Sequence, residues 1–315
     1  MDTDPFIQHF LEIHLGGRYQ ICRRIGSGSF GKVYMGCDVP KGNVVAIKLE
    51  HCSIDPSLLK QEIEIYKQLG AKRGIPRLLW HGSHGEFQAI VFDLLGPNLE
   101  DLFQYCDKKF SLKTTLMLMD QLIRRIESLH AVGYLHRDIK PENFLLGTGN
   151  QGNVVYMTDF GIATPQSDSP SQITSQKPGS HPEIVLVGTC NYASINGHLN
   201  VAPAWRDDLE SLGYMALYFL HGSLPWQGLQ APNRKEKHRL VYERKKAIAV
   251  AELCHGLPTE FATYMSYIRG LEDQEKPDYK YLGRLFGRLF GKSGFKYDNV
   301  FDWTIREFER LSTVV

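Results

Sequence analysis

An excess of either charge is missing from this 315-residue sequence, in which 36 lysines and arginines face 35 aspartates and glutamates for a net charge of +1. Such a balance sets up no global field toward nucleic acid or an anionic membrane, so nucleic acid is not expected as a partner. Long apolar runs are also missing. The longest, Leu212 to Leu220 with Gly213 inside it, covers nine residues. A bilayer span needs about 20, so no membrane span is expected. Met1-Asp2-Thr3-Asp4-Pro5 opens the chain acidic and without an apolar signal core, which argues against secretion. Cysteine is sparse, with six widely spread and none at C-x-x-C spacing. Zinc and dithiol redox motifs lose their support, and reduced, mostly buried thiols in the cytoplasm, the nucleus or both are the expectation. With 43% hydrophobic and 23% charged residues the composition is that of an ordinary globular chain. Its length allows two domains or one two-lobed unit.

What is present centres on His136-Arg137-Asp138-Ile139-Lys140-Pro141-Glu142-Asn143. The stretch gathers a carboxylate, an ammonium and a carboxamide. Pro141 fixes φ and lacks an N–H, so a rigid loop is expected rather than a helix interior. Val154 to Thr158 reads as a short strand that delivers a second carboxylate on Asp159-Phe160-Gly161. Two acids, one amine and one amide on loops suit a polyanion with a divalent metal.

Upstream, Arg18 to Ile25 reads as a strand. Gly26-Ser27-Gly28-Ser29-Phe30-Gly31-Lys32-Val33 follows it. A lone G-x-G-x-x-G is a weak signal and also occurs in dinucleotide-binding folds, where a helix opens after it. Here Val33 to Cys37 continues as a strand, the hairpin form that lays backbone amides over the phosphates of ATP. Val44 to Lys48 is a buried-looking strand ending in a lysine, and an unpaired buried ammonium is costly. The next helix, with Asp55-Pro56 as N-cap and N1 and Gly70 at its end, carries Glu62 as the expected partner of Lys48. Glu64, on another face, is the alternative. Leu78 to Trp80 and Gln88 to Phe92 are two more strands, joined by a turn around Gly82 to Glu86.

A boundary is expected at Asp93 to Asn98, after which helical patterns take over. Ser111 caps a long helix with a Leu, Ile and Met stripe that reads as core. Thr164 to Val187 is polar and reads as mobile and functional, or disordered. Arg206 to His221 reads as a buried helix with Asp207, Asp208 and Glu210 near its positive end. Arg234 to Lys246 is a basic cluster whose default reading is a solvated face, with an anion or nuclear-import patch as the minority reading. Leu282 to Gly291 is an amphipathic helix with Arg284 and Arg288 on one face.

In this order the glycine loop, strand lysine, helix glutamate, catalytic loop and Asp-Phe-Gly resemble the protein-kinase signature set. Four further runs resemble the casein kinase I family: Leu94 to Leu102, Tyr192-Ala193-Ser194-Ile195-Asn196, Arg206 to Tyr214, and Gly222 to Leu229. The Ala-Pro-Glu motif is absent, and Ser-Ile-Asn stands in its place, as is typical of that family. The resemblance covers about residues 18–311. It implies an α+β fold, with a small antiparallel N-lobe sheet bearing one helix (18–92), a hinge (93–97) and a larger, mainly helical C-lobe (98–311). A lead-in of 1–17 and a tail of 312–315 flank it.

The resemblance also implies roles. Asp138 would orient the substrate hydroxyl as base, and Lys140 would steady the transferred phosphoryl group. Asn143 and Asp159 would ligate Mg²⁺. Gly26, Ser27, Gly28, Ser29, Phe30, Gly31 and Lys32 would cover the phosphates of ATP, with Lys48 held by Glu62 gripping them. Ile25, Val33, Ala46 and Leu145 would sandwich adenine, the backbones of Asp93 and Leu95 would hydrogen-bond it, and Phe92 would stand as gatekeeper. The implied activity is transfer of the γ-phosphoryl of Mg-ATP to Ser or Thr near acidic or phosphorylated residues of proteins, by a monomer. Lys140, two residues after Asp138, resembles the Ser/Thr pattern rather than the Tyr one.

The sequence departs from the family where a Gly-Thr-x-Arg-Tyr run is usual. Gly188-Thr189-Cys190-Asn191-Tyr192 puts Asn191 in the place of an arginine. Arg234 and Lys237 keep basic positions of the expected substrate-anion site, but Asn191 has no charge and no fork. Weaker preference for primed substrates is expected. The segment 164–187 departs in composition, while Asp-Phe-Gly-Ile and Glu142 are conservative changes. Two other readings are a scaffold protein with a kinase fold and little transfer, and a dinucleotide-dependent enzyme based on the glycine loop alone.

Overall fold

The structure, a computed structural model, describes residues 14–28, 31–166, 186, 188–199 and 201–312. Ser29 and Phe30 at the tip of the glycine loop, and nearly all of 164–187, lie outside the described residues. The chain divides into two compact units, and the division does not follow chain order. Leu145–Gly161, expected by position in the second lobe, belongs with the residues up to Gly96. The other unit holds Pro97–Phe144 and the residues from Ile162 onward.

The first unit is built on a six-stranded antiparallel sheet. Its strands are β1 (His14–Leu15), β2 (Tyr19–Gly28), β3 (Gly31–Asp38), β4 (Asn43–His51), β5 (Leu78–His84) and β6 (Phe87–Asp93). They lie in the order β1-β2-β3-β4-β6-β5. Side chains alternate between faces along each strand, and this sheet uses both. Tyr34, Val45, Ile47, Leu49, Ala89 and Val91 pack on one face with Leu15, Tyr19 and Ile21. The alternate positions Val33, Ala46, Lys48, Ile90 and Phe92 fall on the other. The pairings Val33 with Lys48 and Ala46 with Phe92 place these residues side by side. A strand follows Gly31 where a dinucleotide fold would open a helix, so that reading fails.

Helix α1 (Leu58–Leu69) packs near β5 and β6. The sequence pointed to Asp55-Pro56 as its start, but Ser57 is the N-cap, accepting from the N–H of Lys60. The reason lies one strand away. The Glu50 carboxylate on β4, buried, accepts from the Ser57 hydroxyl and from the backbone N–H groups of Leu58 and Leu59 at 3.1 Å. A carboxylate at the positive end of the helix satisfies donors that local sequence cannot. A small ladder of β8 (Phe144–Leu146) with β9 (Val155–Met157) brings the chain to Asp159.

The second unit is mainly helical. Its helices are α2 (Leu99–Tyr105), α3 (Leu112–His130), α4 (Trp205–His221), α5 (Arg234–Ala247), α6 (Val250–Leu253), α7 (Thr259–Gly270), α8 (Tyr279–Lys292) and α9 (Asp302–Ser312). Ser111 caps α3 as its position predicts. Helix α3 packs against α4 and α8, and α4 against α7. α4 is buried along almost its whole length, which explains its apolar run. The two-residue strands β7 (Tyr134–Leu135) and β10 (Thr164–Pro165) pair on either side of the chain's excursion through 145–161. With its antiparallel sheet lobe and helical lobe, the fold is α+β.

Candidate active site

In the first unit, Lys48 is the organising charge. Its Nζ lies 2.7 Å from Glu62 Oε2 and 2.7 Å from Asp159 Oδ1. Burial alone would push the ammonium down, but the two carboxylates outweigh it and hold Lys48 above its ordinary value. Glu62, only 1% exposed, is pushed up by burial, with Lys48 working against it. Glu64 is exposed and pairs with Lys67, so the choice between the two glutamates is settled by burial. One turn past Glu62, Tyr66 packs on Phe92 (4.6 Å between centroids) and on Phe160 (4.8 Å). This aromatic column fixes Phe92 and the Asp-Phe-Gly turn together. Asp159 itself sits at φ +65°, a conformation that costs about 1–3 kcal/mol in a non-glycine residue and persists only where its surroundings enforce it.

The positions expected to receive adenine are all in this unit. Ala46 and Val33 are half-buried and Ile25 is exposed. The Gly96 N–H donates to Leu146 O at 2.8 Å, which ties the hinge to the strand bearing Leu145. Asp93 gives its carboxylate to Arg77 (2.9 Å) and pairs with Val45 in the sheet. Gly26, Ser27, Gly28, Gly31 and Lys32 form the β2–β3 hairpin, with Gly28 paired to Gly31. Gly31 adopts φ +149°, and a Cβ there would stand 2.7 Å from Leu49 O. Only glycine fits that turn.

In the second unit, Asp138 is 4% exposed and strongly held. Its Oδ2 accepts from Lys140 Nζ at 2.5 Å and from Asn143 Nδ2 at 3.3 Å. Its Oδ1 accepts from the Thr189 hydroxyl at 2.7 Å and the Thr189 N–H at 2.9 Å. Lys140 also reaches the Thr189 hydroxyl, at 3.2 Å. The Asn143 amide nitrogen donates to Asp138 O as well, at 2.8 Å.

Asp208 on α4, 2% exposed, holds the backbone of the loop. It accepts from the N–H groups of His136 (2.7 Å) and Arg137 (2.8 Å) and meets His130 Nε2 at 2.9 Å. Burial pushes its carboxyl up, but these donors prevail and hold it below its ordinary value. Arg137 stands at φ +66°, with its Nε donating to Ile162 O. The acids of α4 thus anchor loops rather than merely complement a helix end. Asp207 accepts from Ser194 and from Ala204 N–H, and Glu210 accepts from Ile195 N–H and pairs with Arg269.

Arg234 and Lys237 are exposed at the start of α5. Burial pushes the Cys190 thiol up, and the charges of Lys245, Lys237 and Arg234 act against that. The Asn191 carbonyl accepts from Trp226 Nε1 at 2.8 Å. Thr189, Asp208 and Glu50 were not singled out as site residues in the sequence. Gly188-Thr189 was the one available signal, because Gly188, at φ +91°, puts its Cβ position 2.4 Å from Arg137 O.

Groups of this kind neutralise and position phosphates without bonding to them, which is the chemistry of phosphoryl transfer from a nucleotide. Comparison with protein families leads to the same class. The model described as "Protein kinase domain" matches residues 19–265, and the chain belongs to that family. It is a protein kinase, a phosphotransferase that binds ATP and acts on proteins.

Proposed function

We propose that the chain is a serine/threonine kinase of casein kinase I type, which transfers the γ-phosphoryl of Mg-ATP to Ser or Thr beside acidic or phosphorylated residues. The observation that carries the Ser/Thr reading is the trio Asp138, Lys140 and Thr189. A threonine hydroxyl bridges the acid and the amine, which shapes the acceptor position around a short aliphatic hydroxyl.

On this reading the Asp138 carboxylate takes the hydrogen bond of the substrate hydroxyl and aims its oxygen in line with the γ-phosphorus. Lys140 balances charge on the moving phosphoryl. Lys48, fixed by two carboxylates, holds the α- and β-phosphates. Asn143 and Asp159 offer hard oxygen atoms, and among the described residues no cluster of three or more His, Cys, Asp or Glu holds a metal alone. That donor set fits Mg²⁺, which takes one or two protein oxygens and completes its shell with phosphate and water. When bound, the ion supplies neutralisation of the phosphates. A cytoplasmic or nuclear location is proposed from the unpaired cysteines, and imaging of the tagged chain tests it.

The test is transfer from labelled ATP to primed, acidic and plain Ser/Thr and Tyr peptides, with D138N and K48M alongside. Expected are Ser/Thr products at about 1–100 s⁻¹ and loss of transfer in both variants. Undiminished transfer by D138N would overturn the role of Asp138. Nucleotide binding without transfer would point to a scaffold. Because Asn191 lacks a guanidinium fork, primed peptides should lead matched unprimed ones by less than about 10²-fold, and N191R should widen that margin by about one hydrogen-bonded charge pair, roughly 10-fold.

A further inference from the structure

Helix α5 carries a charge that the basic pattern of Arg234 to Lys246 conceals. Lys245 is 0% exposed, while Arg244 and Lys246 beside it are exposed. Among the described residues its Nζ makes no ion pair with a carboxylate, although the charge of Glu210 favours its protonated form. It donates to Cys190 O at 2.8 Å and Ala193 O at 2.6 Å, and lies 3.1 Å from His198 Nε2. It also stands 5.1 Å from the ring centroids of both Tyr214 and Trp226. Burial lowers Lys245 to about 7, and burial keeps His198 neutral, at about 3. With Nε2 facing the lysine, the His198 proton is assigned to Nδ1, which is buried and has no partner among the described residues.

A lone buried ammonium is among the costliest groups to keep in a core, and an orphaned imidazole N–H adds about 1–3 kcal/mol. A leucine or methionine would fill the same space at lower cost. What Lys245 does that they cannot is hold two carbonyls of one turn. The turn is the one that carries Thr189. Trp226 Nε1 takes the carbonyl between them, that of Asn191, at 2.8 Å. At its other end Gly188 lies against Arg137 O, and Thr189 donates both its N–H and its hydroxyl to Asp138 while accepting from Lys140. The turn is therefore clamped by Lys245 and Trp226 and meets the catalytic loop through Thr189.

We propose that Lys245 is a positioning residue: by holding the Cys190 and Ala193 carbonyls it fixes the 189–193 turn, and through Thr189 it sets where the acceptor hydroxyl meets Asp138. The proposal rests on Asp138 being the base. The contacts it uses are all within the helical unit, whereas Lys48, Glu62 and Asp159 are assigned to the other. A role confined to the turn should therefore separate the peptide constants from those of ATP. A merely structural lysine would not.

The test compares the whole chain with K245M, K245Q and W226F. It measures peptide kcat and KM, ATP affinity by a fluorescent nucleotide, and thermal unfolding. Loss of the turn's register is expected to lower peptide kcat/KM by roughly 10–10²-fold in both Lys245 variants. Their ATP affinity should stay within about two-fold of the parent. W226F keeps the ring under Nζ but removes the donor to Asn191 O, and should show the same split at about 10-fold or less. Should K245M fail to unfold cooperatively, K245Q decides on the same constants. Peptide kcat/KM at the parent value in a folded Lys245 variant overturns the proposal. So does an ATP affinity that falls in step with it. A parent without transfer would instead overturn the reading of Asp138 and take this proposal with it, whereas an active parent and an equally active K245M refute Lys245 alone.

Discussion

Asp138 spends both carboxylate oxygens on Lys140, Asn143 and Thr189. On the proposed reading, a base held this way cannot swing, and its line to an acceptor is set before substrate arrives. Thr189 is the adjustable member, because its hydroxyl bridges acid and amine. Thr189→Ala removes two charge-assisted bonds, the one donated to Asp138 and the one accepted from Lys140, each worth about 1.5–3 kcal/mol at most. Peptide kcat/KM should fall by about 10–10²-fold, and Thr189→Ser should recover most of it; steady-state kinetics on one peptide decides this. Lys48 makes the matching point in the first unit. Removing it strands two carboxylates, one of them buried, so Lys48→Met should cost about 3–5 kcal/mol of stability as well as nucleotide affinity, read by denaturant unfolding.

At the scale of elements, the catalytic loop is held by a helix rather than by itself. Asp208 on α4 accepts the two N–H groups of His136 and Arg137. Asp208→Asn should destabilise the chain by about 3 kcal/mol. The pH dependence has a definite sign. The folded carboxyl titrates below its ordinary value of 3.8, so its contribution is complete above that pH and is lost as pH falls through the folded value. The gap between parent and Asp208→Asn in chemical denaturation should thus be widest near neutrality and close in strong acid. Helix α8 offers the opposite case. Gly283, Gly287 and Gly291 recur every fourth residue, and a Cβ at each meets nothing within 4 Å. Each glycine costs a helix interior about 1 kcal/mol relative to alanine. Ala at any one of them should raise stability by about 0.5–1 kcal/mol, measured as a shift in denaturation midpoint at constant m-value.

For the whole molecule, Lys48 and Asp138 lie in separate compact units, yet chain order does not divide the units. Residues 145–161, between Asp138 and the second half of the helical unit, belong with the sheet. Saturating nucleotide should therefore stabilise the fold by mass action, by about 2.7 kcal/mol at 100 times its dissociation constant. Chelating the divalent metal should remove most of that gain. A thermal melt with Mg-ATP, with and without chelator, reads this directly, and no gain in either arm would contradict ATP binding by the described groups.

The sequence by itself pointed to the class of protein, a protein kinase, that the family model also shows. Asp138, Lys140 and Asn143 sit within one short loop, Asp159 ends a strand, and Gly31 can only be glycine where the hairpin turns; local spacing is enough for these. It also placed most strands and helices, since alternation and 3.6-residue periodicity are local properties. Only the tertiary structure decided which charges are buried. Glu62 and not Glu64 meets Lys48, across 14 residues, and Asp159 meets it across 111. The start of α1 moved to Ser57 because Glu50 comes from another strand. Lys245 read as one more solvated cation in a basic run and proved to be a core residue. The reason is common to all of these cases. The cost of a charge depends on what surrounds it, and its surroundings come from parts of the chain that no local window contains.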